Sequence, residues 1–271
     1  MTKHTVPQAQ DVTDALKRVT HRTQAGFGWQ PDMPDHRDEV YSAPPPPSGG
    51  LPASVDLRPH CPPVYDQGQL GSCTANAIGG AIEFDRKKQN LPDYVPSRLF
   101  IYYNERVMEG TVGTDSGAQI RDGIKSVAKI GAPPEADWPY VITKFAAKPP
   151  LKAYKDATQD RAIRYQRLVP TLSQLQGCLA SGFGFVFGFT VYESFMTQAV
   201  AQSGIMPMPK PTEKKVGGHA VMAVGYNDST RMAIVRNSWG TGWGQKGYFM
   251  MPFEFITSRN CSDFWTIRSV G

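Results

Sequence analysis

The first long apolar pattern of the chain begins at Cys73. Between Cys73 and Lys88, apolar side chains recur at three- and four-residue intervals, a period typical of an α-helix. The apolar positions are Ala77, Ile78, Ala81, Ile82 and Phe84. We predict a helix here that is largely buried, and the adjacent Gly79 and Gly80 indicate that another element packs closely against it.

Two further stretches have the pattern of helices. One runs from Arg98 to Arg106, and the other runs from Gln119 to Ile130 with its apolar side chains at helical spacing. Gly131 follows the second stretch and supplies a stop signal. The first half of the main body is therefore predicted to be helical.

After about residue 165 the pattern changes to short apolar runs separated by turn residues, which predicts strands. These runs cover residues 184–191, 220–226, 232–237 and 247–251. A helical half followed by a β-rich half predicts an α+β protein with two lobes. Ligand sites favour clefts, so we expect the functional site between the lobes.

Residues 1–50 differ from the rest of the chain. They are polar and end in four prolines followed by Ser-Gly-Gly, which predicts an extended linker and a flexible joint. A disordered leader is one interpretation. The aromatic residues Phe27, Trp29 and Tyr41 favour the alternative, a pro-segment or regulatory segment that docks on the body. The predicted division is a segment at 1–50, a helical lobe at 51–165 and a β-rich lobe at 166–271.

Composition and charge exclude several classes of protein. The chain has 271 residues, 40% of them hydrophobic and 20% charged, with a net charge of +5 that is spread along the sequence. Without a dense Lys/Arg stripe we expect no nucleic-acid binding. No apolar run approaches the roughly 18 residues of a membrane span. The N-terminus has no apolar signal region, so we expect a protein that is cytoplasmic or exported without a recognisable signal. We expect it to be a monomer that does not bind membranes.

The four cysteines do not form a metal-binding pattern. Cys61, Cys73, Cys178 and Cys261 include no C-x-x-C pair, so we expect no zinc site, and nothing else implies a cofactor. Two disulfides are still compatible with the sequence. The simplest interpretation of any one of these cysteines is a small buried hydrophobic residue.

Cys73 is nevertheless a candidate nucleophile because of its position. A thiol at a helix start is close to the positive end of the helix dipole, which lowers its pKa and favours the thiolate. His219 opens a predicted strand, and Asn237 ends the next one. Either could be structural, but neighbouring strands would bring them together as a base and the group that orients it.

Gln67 lies six residues before Cys73. Its side-chain NH₂ and the Cys73 backbone N–H could together stabilise an oxyanion, as acyl transfer requires. Gln69 is the local competitor for this role, because it lies only four residues before Cys73.

These residues stand in sequence blocks that together resemble the papain family of cysteine peptidases. The resemblance extends over residues 53–268, and the short leader is similar to that of bacterial members of the family. They are Val55-Asp-Leu-Arg58, Gln67-Gly68 with Gly71-Ser-Cys73, Trp138-Pro-Tyr140, Gly218-His-Ala-Val221 with Val224-Gly-Tyr226, Asn237-Ser-Trp-Gly240, Trp243-Gly244 and Gly247-Tyr248. The resemblance implies a helical left lobe, a β-barrel-like right lobe, and an active-site cleft between them.

The resemblance also implies individual roles. Cys73 would be the nucleophile, His219 its ion-pair partner, Asn237 the residue that orients His219, and Gln67 an oxyanion donor. Trp239 would shield the Asn–His bond from water. Gly117 and Ala118 would bind the substrate backbone. The pocket for the residue second before the scissile bond would be bordered by Gln119, Ile120 and Gly218.

The chain departs from the family pattern in three places. Leu70 and Asp115 stand where the family has a disulfide, so that bridge is expected to be absent. Thr74 replaces the aromatic residue that normally follows the nucleophile. The leader lacks a long helical pattern, and we expect residues 27–45 to lie along the cleft instead.

The function that follows is that of an endopeptidase acting on protein or peptide substrates through an acyl-enzyme thioester. Two alternatives remain at this point. One is a catalytically silent homologue that only binds, and the other is an acyl transferase that passes the same thioester to an amine.

Overall fold

Seven α-helices lie within residues 26–159 and 161–271, which are the residues that the computed structural model describes. The polar leader at 1–25 lies outside the described residues. In chain order the helices are α1 (Cys73–Lys88), α2 (Arg98–Glu109), α3 (Ile120–Ile130), α4 (Leu151–Ala157), α5 (Leu172–Ala180), α6 (Gln198–Ser203) and α7 (Phe253–Ile256). None of these helices is long and apolar enough to cross a bilayer.

Seven of the nine described strands form one antiparallel sheet. The strands are β1 (Trp29–Gln30), β2 (Ser54–Asp56), β3 (Ala118–Gln119), β4 (Ala162–Arg167), β5 (Phe185–Tyr192), β6 (Lys215–Asn227), β7 (Met232–Arg236), β8 (Tyr248–Pro252) and β9 (Cys261–Val270). The order in the sheet is β4–β9–β5–β6–β7–β8, and β2 pairs with β6. β1 and β3 form a separate parallel pair.

β6 is buried on both faces, which explains its uninterrupted apolar run. Ala220 and Met222 belong to the core that α1, α2 and α3 share with the sheet. Val221 and Ala223 belong to the core on the opposite face. Successive side chains of a strand point to opposite faces, so a strand between two packed layers needs apolar residues at every position. α1 packs directly on β6, which places Cys73 beside this strand.

The helices and strands predicted from the pattern are confirmed with small shifts in their bounds. α1 has the predicted bounds, and α3 begins one residue later than predicted, at Ile120. Gly131 ends α3 with a φ of 86°, a left-handed value that favours glycine. β4 and β9 have no clear periodic signal, because charged and polar residues interrupt their apolar positions. β4 spans residue 165, and the point at which the lobes divide stays a prediction.

Residues 26–43, called the N-terminal arm below, lie on the body. The salt bridge between Asp38 and Arg121 has an N–O distance of 2.5 Å, and both side chains are 5% exposed. The Tyr41 N–H donates to the Arg167 carbonyl at 2.7 Å, and the Ala43 N–H donates to Gln174 Oε1 at 2.8 Å. The later part of the arm is therefore fixed against α3, β4 and α5.

Candidate active site

Cys73 begins α1 and is fully buried. Burial raises the pKa of the thiol to about 11, although backbone N–H groups of Ala220, Gly28 and Thr74 bond to the sulfur and act in the opposite direction. The expectation of a lowered thiol pKa is therefore wrong for this closed arrangement. Removal of water from the thiol outweighs the bonds from these N–H groups.

His219 and Asn237 are joined by a hydrogen bond. His219 Nε2 and Asn237 Oδ1 are 2.8 Å apart, and the Ser238 backbone N–H also donates to Oδ1 at 2.8 Å. Because Oδ1 accepts, Nε2 carries the proton, and in this tautomer Nδ1 is the acceptor nitrogen of the ring. Ala220 follows His219, and its N–H bonds to the Cys73 sulfur, so the backbone of β6 beside His219 contacts the thiol.

Gln67 is fully buried, and its amide is fixed by contacts on both sides. Its Oε1 accepts from Ser238 Oγ at 2.6 Å, which points Nε2 the other way. Nε2 donates to the carbonyl oxygens of Leu70 and Gly26, each at 2.9 Å. Gln69, the competitor considered from sequence, is exposed. Of the two glutamines, Gln67 is therefore the one whose amide is buried and held in a fixed orientation.

A hydrogen-bonded carboxylate takes the place of the missing disulfide near the nucleophile. The Gly71 N–H donates to both oxygens of Asp115, at 3.1 and 3.0 Å, and the Tyr102 hydroxyl donates to Asp115 Oδ1. All four cysteines are free thiols. Asp115 thus links the loop before Cys73 to the loop after α2 without a redox-sensitive bond.

Thr74, in place of the usual aromatic residue, bonds to a buried acid. Thr74 Oγ1 donates to Glu105 Oε2 at 2.8 Å, and Glu105 is fully buried. Burial raises the pKa of Glu105 well above the usual value, and the bond from Thr74 acts in the opposite direction. The first turn of α1 is therefore held to α2 by a buried hydrogen bond.

The predicted backbone-binding residues lie along β3, and the N-terminal arm covers them. The Ala118 N–H donates to the Gly28 carbonyl at 2.7 Å. A Cβ at Gly117 would lie 1.9 Å from the same oxygen, so only glycine permits this approach. Gln119 Oε1 accepts from the Met33 N–H at 3.1 Å.

The remaining predicted binding residues are Gly218, Trp239 and Ile120, and they lie near Phe27 or Trp29 of the arm. A Cβ at Gly218 would lie 2.7 Å from the Trp29 carbonyl oxygen. Trp239 stacks on the His219 ring at 4.8 Å between centroids and contacts the Phe27 ring at 6.2 Å. Ile120 is fully buried in the same core cluster as Trp29.

The expectation that residues 27–45 lie along the cleft is correct only for their first part. Residues 26–30 lie across Cys73 and β3, whereas residues 38–43 run against β4 and α5. The buried ion pair of Asp38 with Arg121 draws the chain away from the cleft.

Two acidic residues that the sequence analysis did not single out meet where the arm contacts β9, namely Asp32 of the arm and Asp263 of the body. Asp263 Oδ2 accepts from Trp29 Nε1 at 3.0 Å and from the Asp32 N–H at 2.9 Å. Asp32 accepts from the Arg121 N–H at 3.0 Å and from Trp265 Nε1 at 2.9 Å. Burial, and next the negative charge of Asp263, raise the pKa of Asp32 to about 6. No motif marks these residues, and Asp263 lies on β9, which has no clear sequence signal.

Metal binding has no candidate site within residues 26–159 and 161–271. No group of three or more His, Cys, Asp or Glu side chains there is arranged to hold an ion.

Comparison with known proteins identifies the family. A family model described as papain family cysteine protease matches residues 51–262, which is most of the chain. The chain belongs to the papain family of cysteine peptidases. The predicted enzyme class, a hydrolase of the cysteine peptidase type, is confirmed.

Individual relatives agree with this assignment. A protein of Acanthamoeba polyphaga mimivirus, named as an uncharacterized peptidase C1-like protein, is 49% identical over 215 residues, covering 76% of this chain and 69% of that protein. Cathepsin K of Gallus gallus is 28% identical over 216 residues, covering 75% of this chain and 60% of its own length.

Solved structures confirm the fold. Xylellain, a cysteine protease from Xylella fastidiosa, superposes with a TM-score of 0.85 at 43% identity, covering 93% of this chain and 98% of that one. ProCathepsin B S9 from Trypanosoma congolense, at 17% identity and a TM-score of 0.69, shares the fold alone. The papain-like α+β fold and the likeness to a bacterial member of the family are therefore confirmed.

Proposed function

We propose that this cysteine peptidase is an endopeptidase whose nucleophile is Cys73, with His219 as its base, Asn237 as the residue that orients the imidazole, and Gln67 as an oxyanion donor. The observation that carries this proposal is the His219–Asn237 hydrogen bond of 2.8 Å. The residue after His219, Ala220, donates its backbone N–H to the Cys73 sulfur.

The arrangement supports acyl transfer through a thioester. Asn237 holds the Nε2–H of the imidazole, so Nδ1 is available to take the proton of Cys73. The thiolate attacks the peptide carbonyl carbon, and the imidazolium then protonates the leaving amine. Water, deprotonated by the imidazole, hydrolyses the thioester and restores the thiol.

Gln67 is placed to stabilise the charge that forms on the carbonyl oxygen. Ser238 fixes its amide so that Nε2 points toward the side of Cys73, where the Gly26 carbonyl oxygen now accepts from it. That oxygen occupies a place suited to an oxyanion. Preorganised donors of this kind typically contribute a factor of about 10²–10³ to the rate.

We further propose that the N-terminal arm holds the enzyme inactive. The Gly26 carbonyl accepts a hydrogen bond from Gln67 Nε2. Phe27 contacts the His219 ring at 6.0 Å between centroids, and the Gly28 N–H bonds to the Cys73 sulfur. The arm therefore covers the nucleophile, contacts the imidazole and occupies the donor that an oxyanion would need.

The position of the arm also supports endopeptidase action. Trp29 and Gln30 pair with β3 in extended form, and the arm continues beyond them to residue 43. A cleft that binds an internal stretch of chain in this way suits a substrate that does not end at the site.

The test is hydrolysis of fluorogenic peptides under reducing conditions by three full-length proteins. They are the wild type, the arm-loosened variant (Phe27→Ala with Trp29→Ala), and that variant with Cys73→Ala added. We expect low turnover by the first, turnover at least tenfold higher by the second, and none by the third. Equal turnover by the first two would refute inhibition by the arm. Turnover that survives Cys73→Ala would refute the nucleophile, and no cleavage of a broad peptide pool would refute the function.

A further inference from the structure

The guanidinium of Arg121, at the start of α3, is bound by the N-terminal arm. Its Nε donates to Asp38 Oδ1 at 3.0 Å, its Nη2 donates to Asp38 Oδ2 at 2.5 Å, and its Nη1 donates to the Met33 carbonyl. Among the described residues, the arm supplies every hydrogen-bond acceptor of this side chain. Arg121 is 4% exposed, and its guanidinium lies 5.7 Å from the centroid of the Trp265 ring. The arm therefore supplies the counter-charge of a buried cation of the body.

Two further cations of the body, Lys125 and Arg167, pair with the same stretch of the arm. Lys125 Nζ lies 3.4 Å from Asp35 Oδ2, and Arg167 Nη1 lies 3.2 Å from Asp38 Oδ2. Arg167 has a second carboxylate at 3.7 Å, that of Asp263 on β9. The ion-pair partner of Lys125 within the described part of the chain belongs to the arm. The arm thus neutralises more than one cation of the body.

These cations lie on neighbouring elements, because α3 packs on β4. A cavity of about 430 Å³ between arm and body is lined on the body side by Lys125, Arg164 and Tyr165, which adds Arg164 to the group. The basic surface, as we call it, consists of Arg121, Lys125, Arg164 and Arg167. The facing stretch of the arm carries one arginine and four carboxylates, those of Asp32, Asp35, Asp38 and Glu39. The two sides are therefore complementary in charge, which favours specific pairing.

The basic surface continues directly from the strand that pairs with chain in the cleft. β3 ends at Gln119, and Arg121 is the second residue after it. β1 of the arm pairs with β3, and Asp32 Oδ1 then accepts from the Arg121 backbone N–H at 3.0 Å. The family resemblance places the residue second before the scissile bond near Gln119 and Ile120. Substrate residues before the scissile bond therefore extend toward the basic surface.

We propose that the basic surface is a docking site for an acidic segment of a polypeptide substrate, on the N-terminal side of the bond that is cleaved. This inference rests on the proposed peptidase function, and it makes polypeptides with such a segment the preferred substrate class. When the arm leaves, Arg121 loses its acceptors, and a partly enclosed cation is costly until a new carboxylate binds. Arginine binds a carboxylate through two parallel bonds, so a substrate Asp or Glu replaces what the arm supplied. The two chains need not run in the same direction, because an ion pair depends on the position of the charge.

The test compares two matched peptides on a full-length arm-released variant. This variant combines the arm-loosened changes with Asp35→Asn and Asp38→Asn. The added changes remove from Arg121 and Lys125 the carboxylates of the arm, and those of the arm of any second copy. The peptides share one fluorogenic cleavage sequence and carry either four Asp or four Asn residues between the fifth and the eleventh residue before the scissile bond. This spacing matches the carboxylates of the arm, counted from Trp29 as the second residue.

We expect kcat/KM to favour the acidic peptide by about 10- to 100-fold at low salt, as hydrogen bonds between charged groups predict. The difference should lie in KM, because the basic surface contacts the substrate away from the reacting carbonyl and binds the ground state and the transition state alike. At about 1 M salt the screening length falls to about 3 Å, and the preference should fall below about threefold.

Variants of the basic surface in the same background assign the preference to it. Arg121→Gln should remove most of the preference, and an unchanged rate on the Asn peptide shows that its fold and active site are intact. Lys125→Gln alters a half-buried side chain and should lower the ratio by about two- to fivefold. Arg259→Gln, at an exposed arginine outside this surface, is the matched charge control and should keep the full ratio.

Failure of this inference is distinguishable from failure of the proposed function. If the arm-released variant cleaves the two peptides equally well at low salt, the docking site is wrong and the peptidase function stands. A preference that Lys125→Gln and Arg121→Gln leave unchanged would also overturn the docking site. If the variant cleaves neither peptide and no member of a broad pool, the proposed function itself is wrong.

Discussion

Replacement of Trp29 by alanine is expected to open the site. The indole is 9% exposed, lies between Gly188 and Gly218, and donates to Asp263. Truncation of a buried aromatic side chain typically costs about 3–5 kcal/mol. Here the loss destabilises the closed conformation of the arm relative to the open one, because the rest of the body keeps its contacts when the arm leaves.

The size of the effect follows from the equilibrium between closed and open arm. Since about 1.4 kcal/mol corresponds to a factor of ten, a loss of about 3–5 kcal/mol weakens closure by roughly 100- to 3,000-fold. Alkylation of Cys73 requires the open form, so its rate rises by the same factor until the arm is mostly open. Opening also readmits water to the thiol, whose pKa burial has raised to about 11.

The assay is alkylation by iodoacetamide at pH 7.5, with peptide mapping to quantify label at Cys73. The buried Cys261 reports global unfolding, because only unfolding exposes it. Met33→Ala is the matched control, since this arm residue is 70% exposed and should alter the rate little. The reasoning is refuted if Trp29→Ala labels Cys73 within threefold of the wild-type rate while Cys261 stays protected.

Three other perturbations have defined outcomes. The docked pKa of Asp32, about 6 against 3.8 for a free carboxyl, means that the closed arm binds this proton more tightly. The closed arm is thus most stable below about pH 4 and becomes less stable up to about pH 6, by at most about a hundredfold in the closure equilibrium. We expect the Cys73 alkylation rate of the wild type, divided by that of Asp32→Asn, to rise over this interval. A constant ratio would contradict this expectation. Asp115→Asn should lower the free energy of unfolding in urea by about 1–2 kcal/mol by weakening the bonds to Gly71, and an unchanged midpoint would show that these bonds contribute nothing. Gln67→Ala in the arm-loosened variant should lower kcat by about 10²–10³ with little change in KM, whereas a fall in kcat below threefold would exclude an oxyanion role.

The central elements could be predicted because local pattern and burial agree there. The apolar spacing after Cys73 defines α1, and the continuous apolar run around His219 reflects a strand buried on both faces. Cys73 begins α1 and His219 lies in β6, whereas Gln67 lies in the loop before α1 and Asn237 directly follows β7. Short-range signals therefore suffice to place each of these residues relative to its neighbouring element.

The contacts of the arm could not be predicted, because they depend on pairing between distant parts of the chain. Gly28 meets Ala118 and Gly117 across about 90 residues, and Trp29 meets Asp263 across 234 residues. The raised pKa of Cys73 depends on distant parts of the chain as well. Its local setting at a helix start favours the thiolate, but burial in the folded chain raises the pKa.

The measurement that tests the central claim most directly is capture of the acyl-enzyme. The arm-loosened variant is mixed with excess p-nitrophenyl ester, release of nitrophenol is followed in the first seconds, and the protein is mapped by mass spectrometry. The account predicts a burst of about one equivalent per site and an acyl group on Cys73, as expected for a nucleophile that forms a thioester. Ester turnover without a burst, or with the acyl group on any other residue, would contradict it.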